Sequence, residues 1–271
     1  MPFFKANDNT EIHYEIEGSG PPLLMLHGWA GTMNFFKHNV PKLAEQFTVI
    51  RMDYRGHGQS ENVTHGHRVA RYAMDVKNLL DYLDIDGVTA LGWSMGSSVL
   101  FNYFELFGSA RLKGLVIADQ SPAQYTGPDW KWGQNGCYDA EMFARMATEL
   151  ELAPRKNAEG LPHAAMLREP TEEEVKYIAD EITNCPPKVR IDIMRDHTNL
   201  DWRDILPHIT LPSLVLVSRQ STIFDWQGCA YVGEQIPGAK TVFFEESGHM
   251  IYWEEPDKFN QVVADFVSSL Q

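Results

Sequence analysis

Short apolar runs alternate with segments of helical periodicity through the first 118 residues of the chain. The runs are bounded by glycine, aspartate or polar turns and predict buried strands at Leu23–Leu26, Phe47–Arg51, Val88–Gly92 and Leu115–Ala118. The segments between them have apolar residues at helical spacing and predict helices at Phe35–Gln46, Ala70–Leu83 and Met95–Phe107. Two opening segments predict an antiparallel pair of strands at Phe3–Lys5 and Ile12–Ile16. This alternation indicates βαβ units and a mostly parallel α/β sheet flanked by helices.

The pattern changes between residues 121 and 207. Helical segments there are separated by glycine, proline and polar turns, as in the stretches TGPDWKWGQNG and TEEEVKYIADEI. Alternating helix and strand patterns then resume and predict, in order, Leu214–Val217, Gly228–Ile236, Thr241–Phe244 and Pro256–Leu270. We therefore expect residues 1–120 and 208–271 to form one core, with residues 121–207 inserted as a helical cap.

Size and charge narrow the class of partner. A chain of 271 residues, 44% of them hydrophobic, can bury the core of a catalytic domain. The 23 Lys and Arg against 37 Asp and Glu give a formal net charge of -14, which repels nucleic acid and anionic membranes. The expected partner is a small-molecule substrate, and we expect a monomer or a homodimer.

The cysteines and the first residues of the chain indicate in which cellular compartment the protein works. Cys137, Cys185 and Cys229 are far apart and without CxxC spacing, so they predict neither a disulfide framework nor a zinc site. The first residues contain no basic segment followed by an apolar run, and no stretch approaches the ~18 apolar residues of a spanning helix. These features predict a soluble cytoplasmic protein with no metal.

The segment VTALGWSMGSSVL is the strongest local signal in the chain. It runs from a predicted strand through Gly92, Ser94 and Gly96 into a predicted helix, which matches the G-x-S-x-G nucleophile elbow in its required context. The turn is so tight that the serine must take a strained backbone conformation, and glycines are needed on either side of it. The pattern therefore predicts Ser94 as a nucleophile, held in a cleft at the carboxyl end of a strand.

Two backbone N–H groups are expected to form an oxyanion hole beside this serine. Met95 follows Ser94 at a helix start, where free N–H groups and the positive end of the helix dipole stabilise negative charge. The loop LHGWAG follows a buried strand and commonly supplies the second donor, which we assign to Trp29. We interpret His27 in this loop as a residue that hydrogen-bonds local backbone, and DYRGHGQS at residues 53–60 as a structural turn.

Four motifs together resemble the α/β-hydrolase superfamily. They are HGW at 27–29, DYRGHGQS at 53–60, GWSMGS at 92–97 and SGHM at 247–250, and their order and spacing cover most of the chain outside the cap. Within the superfamily the chain is most similar to the esterase, lactonase and cofactor-free haloperoxidase branch. The resemblance implies that His249 is the catalytic base, and a histidine has a pKa suited to accepting and returning the serine proton.

The third member of the expected triad departs from the usual pattern. In most relatives the acid follows the strand that corresponds here to LPSLVLVSRQST, but the aligned position is Ser221. Some members carry the acid one strand earlier, which favours Asp119 after the strand GLVIA. Asp225 is the alternative. Glu245 and Glu246 are expected to face solvent or to brace their loop.

The resemblance implies acyl transfer with Ser94, Asp119 and His249, in the Ser, acid, His order of this fold, without a metal or organic cofactor. An aromatic and methionine-rich set in the cap predicts a moderately hydrophobic ester or lactone substrate, and most of these side chains can equally pack the cap onto the core. From this set we select Trp130, Trp132 and Tyr138 as candidate substrate contacts; the other members are Tyr125, Met142, Phe143 and Met146.

Other functions remain open on the sequence. Haloalkane dehalogenases and epoxide hydrolases share the fold but use an aspartate nucleophile, which argues against both. Cofactor-free perhydrolase or haloperoxidase activity uses the same triad, and C–C bond hydrolysis is also compatible with it. A non-catalytic receptor on the same scaffold is a further alternative, because fold does not fix function.

Overall fold

The computed structural model describes residues 2–134 and 139–271. Its sheet is eight-stranded, with the order β1-β2-β4-β3-β5-β6-β7-β8. The pairs β1–β2 and β2–β4 are antiparallel, and every other neighbouring pair is parallel. The strands are β1 Phe3–Lys5, β2 Glu11–Glu17, β3 Pro22–Leu26, β4 Thr48–Met52, β5 Val88–Trp93, β6 Leu112–Ala118, β7 Ser213–Ser218 and β8 Lys240–Phe244. The mostly parallel α/β sheet predicted from the sequence is confirmed.

Helices cover both faces of this sheet. They are α1 Val40–Leu43, α2 Val69–Leu83, α3 Met95–Phe107, α4 Ala140–Leu152, α5 Pro154–Ala165, α6 Glu172–Thr183, α7 Pro187–Thr198, α8 Trp226–Gln235, α9 Ile251–Glu254 and α10 Pro256–Ser269. On one face α2, α3 and α8 contribute buried apolar residues to a shared core. On the other face α1, α9 and α10 do the same. The central strands are buried on both sides, which explains their continuous apolar runs.

The prediction of one helix over Phe35–Gln46 was wrong. The structure has a short 3-10 helix at Met33–Phe36 and then the separate four-residue helix α1. Pro41 lies at the start of α1, where its missing N–H and fixed φ are tolerated, whereas inside a longer helix its ring would clash with the preceding turn. The proline therefore divides a segment whose apolar spacing alone indicates a single helix.

Parallel register brings the ends of three central strands together. Trp93 at the end of β5 pairs with Ala118 at the end of β6, and Ala118 pairs with Leu216 of β7. The residues that follow, Ser94 and Asp119, therefore leave the sheet at the same edge. In open α/β sheets this carboxyl edge is where ligands bind.

Between β6 and β7 the chain forms helices α4 to α7, which we call the inserted helices. Met194 and Ile191 of α7 pack with Phe143 and Leu150 of α4 in a small apolar cluster of their own. Trp29, from the loop after β3, packs against this cluster from the sheet side. The inserted helices therefore cover the edge of the sheet at which Ser94 lies.

Acid is expected to destabilise the fold through two buried histidines, because burial lowers the pKa of both His57 and His197 to about 3. In the unfolded chain a histidine titrates near 6.5, so between pH 6.5 and 3 the unfolded state binds more protons and stability falls as pH falls. Each histidine should remove roughly 2 kcal/mol of unfolding free energy at pH 5 relative to neutral pH.

Urea unfolding at pH 7.5 and pH 5.0 measures this effect, with His57→Gln as the comparison. The difference in unfolding free energy between the two pH values should be smaller in the variant than in the wild type by roughly 2 kcal/mol. Carboxylates with a lowered pKa, such as Asp8, lose their contribution only below about pH 4 and do not act in this window. An unchanged difference in His57→Gln would show that this histidine is not held neutral.

Candidate active site

The turn after β5 holds Ser94 in a backbone conformation that L-residues rarely adopt. Its φ is 53° and its ψ is -128°, and it immediately precedes α3. The flanking glycines are required by space: a Cβ on Gly92 would lie 2.3 Å from the carbonyl carbon of Gly96, and a Cβ on Gly96 would lie 2.4 Å from the carbonyl oxygen of Leu26. Strain of this kind costs of order 1–3 kcal/mol and persists where the surroundings enforce it.

Neighbouring backbone fixes Ser94 in this turn. Its N–H donates a hydrogen bond of 2.9 Å to the carbonyl of Ala118, which ties the turn to the adjacent strand. Met95 is the first residue of α3, so its N–H has no acceptor within the helix. On the opposite side, a Cβ on Gly28 would lie 3.0 Å from the Cβ of Ser94. The loop that contains Trp29 therefore lies directly against the serine.

Asp119 and His249 form a hydrogen-bonded pair. The Nδ1 of His249 is 2.7 Å from Oδ2 of Asp119, although 130 positions separate the two residues. Both side chains are buried, the carboxylate completely so. Because Nδ1 is held by the carboxylate, the other ring nitrogen, Nε2, is left for proton transfer.

The Asp119 carboxylate has a further donor that holds it in place. Its Oδ1 accepts a 2.9 Å hydrogen bond from the N–H of Ser218 at the end of β7. The thiol of Cys229 in α8 lies near the carboxylate, and burial followed by the charge of Asp119 raises the pKa of this thiol well above its usual range. The carboxylate is therefore held by hydrogen bonds from β7 and from the loop that carries His249.

The loop that carries His249 is held by side chains on both sides of it. The indole N–H of Trp93 donates a 2.9 Å hydrogen bond to the carbonyl of His249, and the two rings lie 5.0 Å apart. The N–H of Gly248 donates to the carboxylate of Glu254 at 2.7 Å. The imidazole position is therefore set by the fold before any substrate binds.

Ser94 and His249 line one small cavity of about 70 Å³ beneath the inserted helices. A larger pocket of about 560 Å³, formed by α4 and α5, shares Trp29 and Leu161 with this cavity, so these two side chains stand between them. The residues that line the small cavity are Trp29, Trp93, Ser94, Gln134, Leu161, Ala165, Met194, His197, Ile223 and His249.

The structure separates the two candidate acids. Asp119 contacts His249, as described, whereas Asp225 is the residue that precedes α8 and has no contact with His249 among the described hydrogen bonds and ion pairs. Ser221, at the position where most relatives carry the acid, accepts a long 3.4 Å hydrogen bond from the N–H of Phe224. Glu245 is exposed and lies 3.7 Å from Arg219, which agrees with a bracing role.

The structure describes two of the three aromatic residues selected from the predicted cap. Trp130 and Trp132 are 5.2 Å apart between ring centroids, and both pack on Tyr231 of α8. Neither lines the cavity of Ser94 and His249 within the part of the chain that the structure describes. Their predicted contact with substrate stays a prediction that the cavity does not support. Tyr138, the third candidate, lies outside the described residues.

His27 and the turn at residues 53–60 have structural contacts. The Nδ1 of His27 lies 2.8 Å from the carbonyl of Gly28, and its Nε2 accepts from the N–H of Tyr54. The carboxylate of Asp53 accepts hydrogen bonds from the N–H groups of Met33 and Gln59. These bonds fix the loop that carries Trp29, as the sequence interpretation of both segments expects.

The sequence did not identify three residues of the site, two of them near Asp119 and one in the cavity wall. Ser218 donates a hydrogen bond to Asp119, Cys229 lies near the same carboxylate, and His197 of α7 lines the cavity. Ser218 follows directly after the predicted strand Leu214–Val217, at the edge of the sheet where the site lies, and this position is the signal that could have identified it. Cys229 and His197 have no motif around them, because each reaches the site only through tertiary packing.

Among residues 2–134 and 139–271, no group of three or more histidine, cysteine or acidic side chains is placed to hold a metal ion. None of the helices in these ranges is long and apolar enough to cross a membrane.

Comparison with known proteins adds to this geometry. A family model described as alpha/beta hydrolase fold matches residues 21–256. The chain belongs to the α/β-hydrolase family. This α/β hydrolase is similar over 98% of its length to an esterase from Exiguobacterium antarcticum, of which it also covers 98%, with a TM-score of 0.93 and 25% identity.

Two curated relatives extend the comparison. This α/β hydrolase is 25% identical to the pimeloyl-[acyl-carrier protein] methyl ester esterase of Vibrio parahaemolyticus, over 95% of its own length and 98% of the relative. It is 34% identical to a non-heme haloperoxidase of Rhodococcus erythropolis, over 45% of each chain. These names fit the branch that the motifs resemble.

Proposed function

We propose that this α/β hydrolase is a serine hydrolase that cleaves a carboxylic ester or lactone of a small, moderately hydrophobic molecule through an acyl-enzyme. The observation that carries the proposal is the 2.7 Å hydrogen bond between Asp119 and His249, formed in a cavity that also contains the strained Ser94. A nucleophile, a base and an orienting acid in one buried site are the groups that acyl transfer requires.

The first half of the proposed reaction forms the acyl-enzyme. The Nε2 of His249 accepts the hydroxyl proton as the Oγ of Ser94 attacks the carbonyl carbon. Asp119 keeps Nδ1–H in place and stabilises the imidazolium. The N–H groups of Trp29 and Met95 stabilise the oxyanion, and the leaving alkoxide takes the proton from His249. The resulting ester bond joins the acyl group to Ser94.

The second half reverses these roles with water. His249 accepts a proton from water as the water oxygen attacks the acyl carbon, and Ser94 Oγ leaves and regains its proton. No group outside this chain is consumed other than water. A lactone would follow the same course, with both parts of the product released as one hydroxy acid.

The size of the cavity supports a short acyl group. A cavity of about 70 Å³ leaves room for a chain of a few carbon atoms. Leu161, Ala165 and Met194 give this cavity an apolar wall. The larger pocket beyond Trp29 would hold the part of the substrate that does not react. We propose that the inserted helices, within residues 121–207, act as a cap that selects the substrate.

A chain-length series tests this function. Hydrolysis of p-nitrophenyl esters from acetate to decanoate should be measurable and should have its highest kcat/KM at four carbons or fewer, falling for longer chains because the cavity cannot hold them. Absence of turnover with every ester and with small lactones would contradict the proposal. In that case, peracid formation from acetate and hydrogen peroxide would favour the haloperoxidase-like alternative, and binding without turnover would favour a receptor.

A further inference from the structure

The loop that carries His249 lies directly against the end of α5, one of the inserted helices. On one side of His249, the N–H of Met250 donates a long 3.4 Å hydrogen bond to the carbonyl of Ala165. On the other side, a Cβ on Gly248 would lie 2.5 Å from the same carbonyl oxygen, so the two segments are in close contact. Ala165 also lines the cavity of Ser94 and His249. The base and one wall of the cavity therefore meet at a single junction.

One carboxylate spans this junction. Glu254, the last residue of α9, accepts hydrogen bonds from three backbone N–H groups. Its Oε2 accepts from Gly248 at 2.7 Å, just before His249. Its Oε1 accepts from Leu167 at 2.9 Å and from Arg168 at 3.1 Å, both in the loop between α5 and α6, and Leu167 also lies 3.1 Å from Oε2. Bonds to a charged acceptor are stronger than bonds between neutral groups. Glu254 thus joins the His249 loop to the inserted helices.

Helix α9 gives this carboxylate a fixed base. Ile251 and Tyr252 are completely buried, and the ring of Tyr252 lies 4.8 Å from the ring of Trp93 at the end of β5. The indole N–H of Trp93 donates in turn to the carbonyl of His249. The sheet therefore holds the His249 loop from one side, and Glu254 ties it to the inserted helices on the other.

We propose that Glu254 is a positioning residue for His249. Its carboxylate holds the segment before His249 against the end of α5 and thereby keeps Nε2 directed at Ser94 and at the leaving oxygen. Glu254 is not among the described residues that line the cavity, so it acts through His249 and not on the substrate. This inference rests on the proposed function and deepens it, because it makes the placement of the base depend on the inserted helices that cover the substrate.

The two roles of His249 respond differently to a change in its position. It accepts the serine proton with every ester, but it has to return that proton to the leaving oxygen only where this oxygen is strongly basic. An alkoxide needs the proton, whereas p-nitrophenolate leaves without it. A misplaced imidazole should therefore slow an alkyl ester more than a p-nitrophenyl ester. A smaller fraction of folded protein would slow both in the same proportion.

Glu254→Gln breaks the bridge with little change in size. A carboxamide has one accepting oxygen, which can serve one side of the junction, and its NH₂ then faces an N–H group on the other side. Glu174→Gln is the matched control. The carboxylate of Glu174 in α6 accepts a 2.9 Å hydrogen bond from the indole N–H of Trp253, so it also joins α9 to the inserted helices, with no described contact to Gly248.

The measurement compares kcat/KM for p-nitrophenyl butyrate and butyl butyrate, per active site counted by complete titration with a fluorophosphonate. In Glu254→Gln, kcat/KM should fall about tenfold for p-nitrophenyl butyrate and about 100-fold for butyl butyrate, so the ratio of the two shifts by about tenfold. Glu174→Gln should keep this ratio within about twofold of wild type. An unchanged ratio in Glu254→Gln, or an equal shift in Glu174→Gln, would overturn the inference.

Gly248→Ala tests the junction from its other side. The added Cβ has to displace the carbonyl of Ala165, which separates the two segments without removing the charge of Glu254. The ratio should shift in the same direction as in Glu254→Gln, and this variant decides the question if Glu254→Gln does not fold. A folded Gly248→Ala protein with the wild-type ratio would contradict the inference. If neither variant folds, the junction is a requirement of the fold and the positioning role is refuted.

Failure of the proposed function would look different. Wild type would then hydrolyse neither ester, or Ser94→Ala would keep the activity, and both proposals would fall together. Wild-type turnover of both esters that is lost in Ser94→Ala supports the proposed function. An unchanged ratio in Glu254→Gln, measured alongside that result, would refute the positioning role alone.

Discussion

Ser94→Ala is expected to lower kcat for ester hydrolysis by about 10⁶-fold, because the proposed reaction has no other group that can form the acyl bond. The residual rate would come from the oxyanion donors and from substrate binding alone. Steady-state kinetics with p-nitrophenyl butyrate measures the loss of kcat. KM, or the inhibition constant of a product, shows whether the cavity of the variant still binds substrate or product.

Ser97→Ala is the matched control for this variant. Ser97 lies in the first turn of α3, three positions after Ser94, and its hydroxyl bonds the backbone of Gly92 and Ala118, so it supports the turn without facing the reaction. Its replacement should reduce stability by about 1–3 kcal/mol and kcat by less than about tenfold. A Ser94→Ala protein that keeps a tenth or more of the wild-type kcat would refute the nucleophile assignment.

Asp119→Asn is expected to reduce kcat by about 10⁴-fold. An amide NH₂ facing His249 would donate to Nδ1 and place the ring hydrogen on Nε2, where the ring can no longer accept the serine proton. The amide oxygen can still accept from the N–H of Ser218, so the backbone around the site should be preserved. Unfolding curves and kcat, measured together, show whether activity is lost because His249 takes the wrong tautomer or because the structure is lost.

Asp225→Asn is the comparison that decides between the two candidate acids. Asp225 lies at the start of α8 and is expected to change kcat by less than about threefold, because no described contact joins it to His249. The reverse result, a large loss for Asp225→Asn and a small one for Asp119→Asn, would move the acid to the position after β7 and contradict the geometry.

The sequence was informative where local rules decide the structure. The helix predicted at Met95–Phe107 is observed with the same bounds, since the glycine-serine-glycine turn fixes its start and Gly108 follows its end. Asp119 could be proposed because the ends of neighbouring parallel strands must lie together, and the register of β6 with β7 places it beside the His249 loop.

The rest depended on contacts that no local pattern encodes. Pro41 divides a segment whose spacing alone indicates one helix. Trp130 packs on Tyr231, about a hundred positions away, so its aromatic character could not show whether it faces substrate or core. His197 reaches the cavity because α7 folds back over α3, and its unpaired nitrogen is visible only once that packing is known.

Covalent labelling of the nucleophilic serine tests the central claim most directly. Wild type and Ser94→Ala would be incubated with a fluorophosphonate, which is attacked by an activated serine and leaves a stable phosphonyl ester, and each protein would be measured by intact mass and peptide mapping. We expect one adduct in the wild type, on Ser94, with loss of ester hydrolysis in the same proportion, and no adduct in Ser94→Ala. An adduct on another residue, or hydrolysis that persists after Ser94 is fully labelled, would contradict the account.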